Sequence, residues 1–314
     1  MEDAHAAVLN LDDTETSFFG VYDGHGGSTI AQYTGKTLHH KVRENPHFDQ
    51  KEYRKALKGA FMSIDQDLRN DDNFTYDPSG CTAVTALVTP EKKIYVANAG
   101  DSRSIISVKG KAVPLSEDHK PGDQLESQRI IAAGGFVKFG RVNGNLALSR
   151  AIGDFEFKKN ASLPAEKQIV TCDPDIVEHR ITENDEFLVL ACDGIWDCMT
   201  NQLVVDFIRE ELARKMSLED ICELIMDLCL APESDLGGVG CDNMSIMIVG
   251  ILNGKTEQEW YDWMASRALA SKKTDALGNT ISSDTEDKTN ISAAMNETEV
   301  TEASIENKLQ AKSS

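Results

Sequence analysis

The side chains best suited to chemistry stand in Asp23-Gly24-His25-Gly26-Gly27, directly after the apolar run Phe18-Phe19-Gly20-Val21-Tyr22. The run reads as a buried strand, and a strand end is where a rigid scaffold can hold functional groups in place. The three glycines open backbone conformations closed to other residues and let a ligand approach the main chain. Asp23 is a candidate metal ligand there, and His25 a candidate proton donor two residues on. Taken alone, Asp-Gly-His-Gly is equally well an ordinary strand-to-helix turn carrying an incidental histidine.

Four further segments repeat the pattern. Asp101 lies in Asn98-Ala99-Gly100-Asp101-Ser102-Arg103 after a strand-like run. Leu188-Val189-Leu190-Ala191-Cys192 ends in Asp193-Gly194, with Asp197 four residues later. Asp242 and Asn243 stand before the last strand-like run, and Glu2-Asp3 before the first. Asp and Gly are common turn residues, so each site singly has a bland explanation. Five acidic sites at strand ends of one domain point instead to a shared site. With no cysteine and no second histidine among the donors, such a set favours Mg²⁺ or Mn²⁺ over zinc. A carboxylate shared between two ions lowers the pKa of a bridging water and aims it in line at phosphorus. No Ser, Cys or His stands in a nucleophile motif, so direct attack by water is expected, with His25 as general acid for the leaving alkoxide.

These residues need elements to position them. Residues 4–11 begin as a strand. Residues 28–45 read as a helix with Ser28 as N-cap, and residues 51–70 as a stronger helix, with Tyr53, Leu57, Phe61, Ile64 and Leu68 at helical spacing. Strand-like segments at 82–89, 93–98, 103–108 and 111–115 are separated by short turns, which implies hairpins and an antiparallel sheet. Residues 123–133 read as a helix stopped by Gly134-Gly135, residues 136–160 as irregular, and residues 186–192 as a buried strand. Thr200 and Ser217 cap two more helices, and residues 244–252 close the domain as a strand. Strands and helix pairs in blocks make an α+β protein. Residues 253–270, with Trp260 and Trp263, read as a docked helix. From 271 to 314 the chain is rich in Ser, Thr, Asn and Glu and is expected to be disordered.

The chain has 314 residues, of which 40% are hydrophobic, enough for one large core or two small ones. Its net charge of −20 argues against nucleic acid as a partner. Residues 271–314 hold eight acidic and five basic residues, so the acidity belongs mainly to the preceding chain. The seven cysteines are odd in number and include no Cys-x-x-Cys pair, so they read as reduced thiols. No signal peptide and no membrane-length apolar run is seen, so the expectation is a protein of the cytoplasm or nucleus, with no membrane partner.

The motifs together resemble the metal-dependent type 2C (PPM) protein serine/threonine phosphatases, most closely the fungal members. Residues 1–252 carry, in order, Met-Glu-Asp-Ala-His, Val-Tyr-Asp-Gly-His-Gly-Gly, Ser-Gly-Cys-Thr-Ala, Ala-Gly-Asp-Ser-Arg, Asp-His-Lys-Pro, Arg-Val-Asn-Gly-Asn-Leu-Ala-Leu-Ser-Arg-Ala-Ile-Gly-Asp, Ala-Cys-Asp-Gly-Ile-Trp-Asp and Cys-Asp-Asn-Met-Ser. The resemblance implies a central antiparallel β-sandwich flanked by antiparallel helix pairs, in α-β-β-α layers, with the metal site at one end. It implies that Asp23 bridges two ions, that the Gly24 carbonyl, Asp193 and Asp242 complete the set, and that Glu2 holds one ion through water. Asp101 and Asp197 match a weaker third metal site. Arg150 and Asn243 match residues near the site, and residues 118–160 match a flap that shapes substrate choice. It implies a monomer acting on phosphoserine and phosphothreonine in proteins, with kinases of stress or cell-cycle signalling among its partners.

One departure stands out. In that family a first strand bearing a phosphate-binding arginine precedes Met-Glu-Asp, whereas this sequence opens at Met1. The expectation is a start that lies further upstream, with Glu2 on a frayed end. The competing reading is a catalytically impaired phosphoprotein-binding or regulatory module. A two-metal nuclease is disfavoured by the negative charge.

Overall fold

The computed structural model describes residues 1–11, 13–74, 76–231 and 238–278. Two antiparallel sheets stack at its centre. The first has five strands in the order β1 (Ala4–Val8), β2 (Ser17–Tyr22), β5 (Ala83–Thr89), β6 (Lys93–Ala99) and β12 (Asp175–Arg180). The second has four, in the order β14 (Ile246–Gly250), β13 (Asp185–Ala191), β7 (Arg103–Val108) and β8 (Lys111–Pro114). Short pairs complete the strands: β3 (Gly24–His25), β4 (Gly80–Cys81) and β11 (Ile152–Gly153) in one small sheet, β9 (Val137–Lys138) and β10 (Arg141–Val142) in a hairpin.

The period of two explains why the central strands read as continuous apolar runs. In β2, Phe19 and Val21 face the second sheet, while Phe18 and Tyr22 face the helices. In β13, Leu188 and Leu190 join the core between the sheets, while Phe187, Val189 and Ala191 point outward to the other helical layer. Both faces of both strands are buried, so alternation of polar and apolar residues disappears.

Helices α1 (Thr29–Glu44), α2 (Pro46–Asp49) and α3 (Tyr53–Asn70) cover the five-stranded sheet. Tyr53, Leu57, Phe61, Ile64 and Leu68 of α3 are all buried, as their spacing requires. Helices α6 (Asn201–Ala213), α7 (Leu218–Cys229) and α8 (Glu257–Gly278) cover the other sheet. The α-β-β-α layering expected from the resemblance is therefore the observed one. Thr200 and Ser217 cap α6 and α7 by accepting the Leu203 and Asp220 amides. Ser28 precedes α1, but its side chain caps no amide, because its backbone is already helical at φ −91° and ψ −5°. Trp260 anchors α8: it is 1% exposed and its indole Nε1 donates to the Glu186 carbonyl at 3.1 Å.

Two expectations need correcting. Residues 136–160 are not merely irregular, since they hold the β9–β10 hairpin and β11, with a small core of their own around α4 (Gln124–Ala132). Strand β12 escaped the sequence reading because it is an edge strand, exposed at four of its six residues and holding only Ile176 and Val177 as apolar side chains. The expected disordered tail at 271–314 lies outside the described residues beyond 278. No helix among the described residues is long and apolar enough to cross a membrane. All seven cysteines are free thiols, and Cys241 alone is exposed.

Candidate metal centre and active site

Strand register brings the acidic turns to one end of the sandwich. Ala4 pairs with Tyr22, so the start of β1 lies beside the end of β2, setting Glu2 near Asp23. Val21 pairs with Val84 and Ala83 with Ala99, which carries the end of β6, and Asp101 beyond it, to the same edge. In the second sheet Ala191 pairs with both Ile246 and Arg103, so Asp193 and the turn before β14 join them. Antiparallel pairing thus collects five chain-distant turns that sequence order keeps apart.

Two glycines let these turns close up. A Cβ on Gly24 would stand 2.3 Å from the Glu2 carbonyl oxygen, and one on Gly194 would stand 2.2 Å from that of Asn243. Any side chain at either position would push the first or last strand off the Asp23 or Asp193 turn. Hydrogen bonds fix what the glycines admit. The Asp23 amide donates to Thr82 Oγ1 at 3.2 Å, the Thr82 amide donates back to the Asp23 carbonyl at 2.9 Å, and Thr82 Oγ1 meets Ser102 Oγ at 2.6 Å. Asn243 Oδ1 accepts the Glu2 amide at 2.5 Å, which ties the backbone at Glu2 to the turn before β14. The Asn243 amide donates to Asp242 Oδ1 at 2.7 Å. Asp193 opens a single helical turn, α5 (Asp193–Trp196), whose continuation brings the Asp197 amide to the Asp193 carbonyl at 2.8 Å. The two carboxylates therefore lie one turn apart on the same side.

The charges in this cluster act strongly on one another. Burial, then the charges of Asp193, Asp3, Asp101 and Asp242, raise the Asp23 carboxyl to about 9. Burial and the charges of Asp101, Asp197 and Asp242 raise Asp193 to about 6, against the opposing pull of Lys120. Asp197 is raised too, first by burial. Asp3, absent from the sequence-based donor set, belongs here: it is raised by burial, and Ser245 Oγ donates to its Oδ2 at 2.7 Å. Its adjacency to Glu2 was the available signal. Lys120 Nζ pairs with Asp101 Oδ2 at 2.7 Å, while Asp101 Oδ1 is buried with no hydrogen-bond partner.

His25 owes its position to a residue the sequence reading placed in a motif without a role. Its Nε2 donates to Asp154 Oδ2 at 2.7 Å, and Asp154 is 4% exposed. Burial would lower the His25 pKa, but the hydrogen bond and charge of Asp154, with the charges of Asp101 and Glu2, more than offset it, so the net shift is upward. Arg150 stands apart from the carboxylates. Its guanidinium lies on Glu126 at 2.8 Å and on Asp175 at 3.0 Å, along the wall of a cavity of about 530 Å³. Burial would raise Glu126, yet Arg150 and Arg129 outweigh it and hold the carboxyl at about 2.

Does this set suit divalent ions? Among the described residues, no three His, Cys, Asp or Glu side chains stand close enough together to grip one unaided. The donor chemistry nevertheless fits. The donors are carboxylate and carbonyl oxygens only, their mutual repulsion disfavours the ionised state of Asp23 and Asp193 unless a cation offsets it, and one buried Asp101 oxygen is unpartnered.

Comparison with known proteins identifies the family. A sequence model of the family "Protein phosphatase 2C" matches residues 1–235. "Protein phosphatase 2C homolog 2" of Hypocrea jecorina is 55% identical over 276 residues, covering 85% of this chain and 63% of the relative. The protein of the same name in Schizosaccharomyces pombe is 54% identical over 272 residues, covering 85% and 74%. The chain thus spans roughly two thirds of the length of these relatives. Among solved structures, a phosphatase from Toxoplasma gondii superposes with a TM-score of 0.71 at 27% identity, over 82% of this chain and 90% of the other. With acid-tipped strand ends, layered sheets and these matches in agreement, the chain belongs to the metal-dependent protein phosphatase 2C family.

Proposed function

We propose that this chain hydrolyses phosphoserine and phosphothreonine in proteins, using two Mg²⁺ or Mn²⁺ ions held by Asp23, the Gly24 carbonyl, Asp193, Asp242 and, through water, Glu2. Asp101 and Asp197 would hold a weaker third. The observation that carries the reading is the convergence of acidic turns on one end of the sandwich, where each carboxylate perturbs the next. The relatives named protein phosphatase support it.

Divalent ions held there would supply a water of lowered pKa as the nucleophile for phosphorus. The protein's own contribution is to fix the donors and supply the proton. Asp154 occupies His25 Nε2, so Nδ1 is the ring nitrogen left to hand a proton to the departing serine or threonine oxygen. The upward shift of the His25 pKa favours the protonated ring that this role needs. The substrates expected are phosphoproteins.

The test is phosphate release from a phosphothreonine peptide with and without Mn²⁺. The expected result is turnover that requires the ion and is lost on Asp193→Asn. Turnover that survives both EDTA and that substitution would overturn the reading.

A further inference from the structure

The turn bearing Asp101 is gripped by the segment Glu117–Lys120. His119 clamps Gly100 twice: its ring Nδ1 accepts the Gly100 amide at 3.2 Å, and its own amide donates to the Gly100 carbonyl at 3.0 Å. Asn98 Nδ2 ties the same turn by donating to the carbonyls of Gly100 at 3.1 Å and Glu117 at 2.9 Å. Because Nδ1 accepts an N–H, it carries no proton, and the ring proton sits on Nε2. That Nε2 donates to Asp175 Oδ2 at 3.0 Å, and Asp175 Oδ1 accepts from Arg150 Nη1 at 3.0 Å. The His119 carbonyl accepts from the Ser149 amide at 3.1 Å and from Ser149 Oγ at 2.9 Å. The ring is buried at 4% exposed, so water does not compete for these bonds.

The result is a continuous connection from Arg150 through Asp175 and His119 to the turn of Asp101. Every step is a hydrogen bond, and the last acts on the residue next to a buried carboxylate that keeps one oxygen bare. Arg150, by contrast, spends its guanidinium on Glu126, Asp175 and the Asp173 carbonyl.

We propose that His119 is a positioning residue for Asp101, and that Arg150 serves the carboxylate cluster through Asp175 and His119 and makes no contact with the substrate phosphate. The proposal rests on reading the cluster as a metal centre. It assigns a role to Asp-His-Lys-Pro, a motif that the functional reading leaves unused.

The experiment titrates Mn²⁺ into the full chain and follows the free ion by its paramagnetic resonance signal. His119→Ala removes the acceptor for Gly100 and is expected to weaken the weakest class of Mn²⁺ sites about five- to tenfold, the effect of one lost hydrogen bond. The tighter sites should stay within about twofold, as sites that do not depend on that bond. His119→Asn puts an amide oxygen where Nδ1 stood and should recover most of the loss. His119→Gln reaches Asp175 but not Gly100 and should not. Asp175→Ala, at a side chain 66% exposed and therefore tolerant of change, tests the outer link even if His119→Ala fails to fold, and should weaken the same class about threefold, as a coupled neighbour does. Equal binding by His119→Ala and His119→Asn, or no change with Asp175→Ala, would overturn the proposal while leaving the metal centre standing. Absence of Mn²⁺ binding by the unaltered chain would overturn both.

Discussion

His25 and Asp154 show how one buried contact sets a reactive group. Burial by itself would drive the imidazole towards neutrality, and Asp154 at 2.7 Å reverses this. Asp154→Asn should therefore move the alkaline limb of the kcat–pH profile downward, towards or below the ordinary histidine value of 6.5. An unmoved limb would show that another group supplies the proton. His25→Gln should lower kcat by about 10²–10⁴ on a phosphopeptide and much less on an aryl phosphate, whose leaving group needs no proton. Equal losses on the two substrates would remove His25 from the acid role. Asp23 carries the opposite kind of lesson. Its carboxyl is raised from 3.8 to about 9, so the metal-free fold favours the protonated form. That stability is complete below pH 3.8 and is lost as pH rises through about 9. Asp23→Asn spares the fold the cost of keeping that carboxyl protonated, which the unfolded chain does not bear at pH 8. In EDTA at pH 8 it should raise Tm, by about 2–4 °C for each kcal/mol of that cost removed, and a lowered Tm would contradict the electrostatic account.

At the level of elements, the site depends on ties between layers as much as on strand ends. Asp154 is held in a left-handed turn, φ 51°, within the segment after β11, and α3 fixes that segment from behind. Lys158 Nζ donates to Asp65 Oδ1 of α3 at 2.6 Å and to the Ala151 carbonyl at 2.8 Å, and the Gly153 amide donates to the same Asp65 oxygen at 2.9 Å. Both charged side chains are almost wholly buried. Lys158→Met leaves Asp65 buried without its counter-charge and should cost about 3–5 kcal/mol in urea unfolding. Adding Asp65→Asn keeps an acceptor for Gly153 and removes the orphaned charge, so the double variant should regain more than half of that loss. Additive losses would mean that the pair does not act as a unit. The same two layers decide His25: α3 holds the segment, the segment holds Asp154, and Asp154 holds the ring.

For the whole molecule, acidity and the proposed metal centre are one electrostatic problem. A net charge of −20 already opposes compaction, and where the sheet ends meet Asp23 bears the charges of Asp193, Asp3, Asp101 and Asp242. Cations that bind there should stabilise the fold by mass action, about 2.7 kcal/mol at a hundredfold excess over Kd. For a domain of this size that is roughly 5–11 °C in Tm. The shift should be large at pH 8 and shrink towards pH 5, because Asp193, at about 6, and Asp23, at about 9, take up protons that compete with the ion. A shift independent of pH, measured by thermal melts in Mn²⁺ and in EDTA, would place the ion elsewhere.

Much of this was legible in one dimension. The central strands declared themselves as apolar runs because both their faces are buried, and α3 declared itself by its buried stripe. The candidate donors Asp23, Asp101, Asp193 and Asp242 were legible because an Asp in a turn beside an apolar run is a local event. Strand β12 was hidden because an exposed edge strand carries too few apolar residues to make a run, and the roles of Asp3, Asp154 and His119 were hidden because each depends on a partner distant in the chain: Ser245, His25 and the Gly100–Asp175 pair. Sequence by itself determined which residues could bind ions and which elements would carry them, since propensity, period and donor chemistry are properties of short segments. Only the tertiary structure decided how those residues are tuned and that Arg150 faces Glu126 and Asp175, because burial, charge–charge coupling and hydrogen-bond partners exist only once the layers have closed.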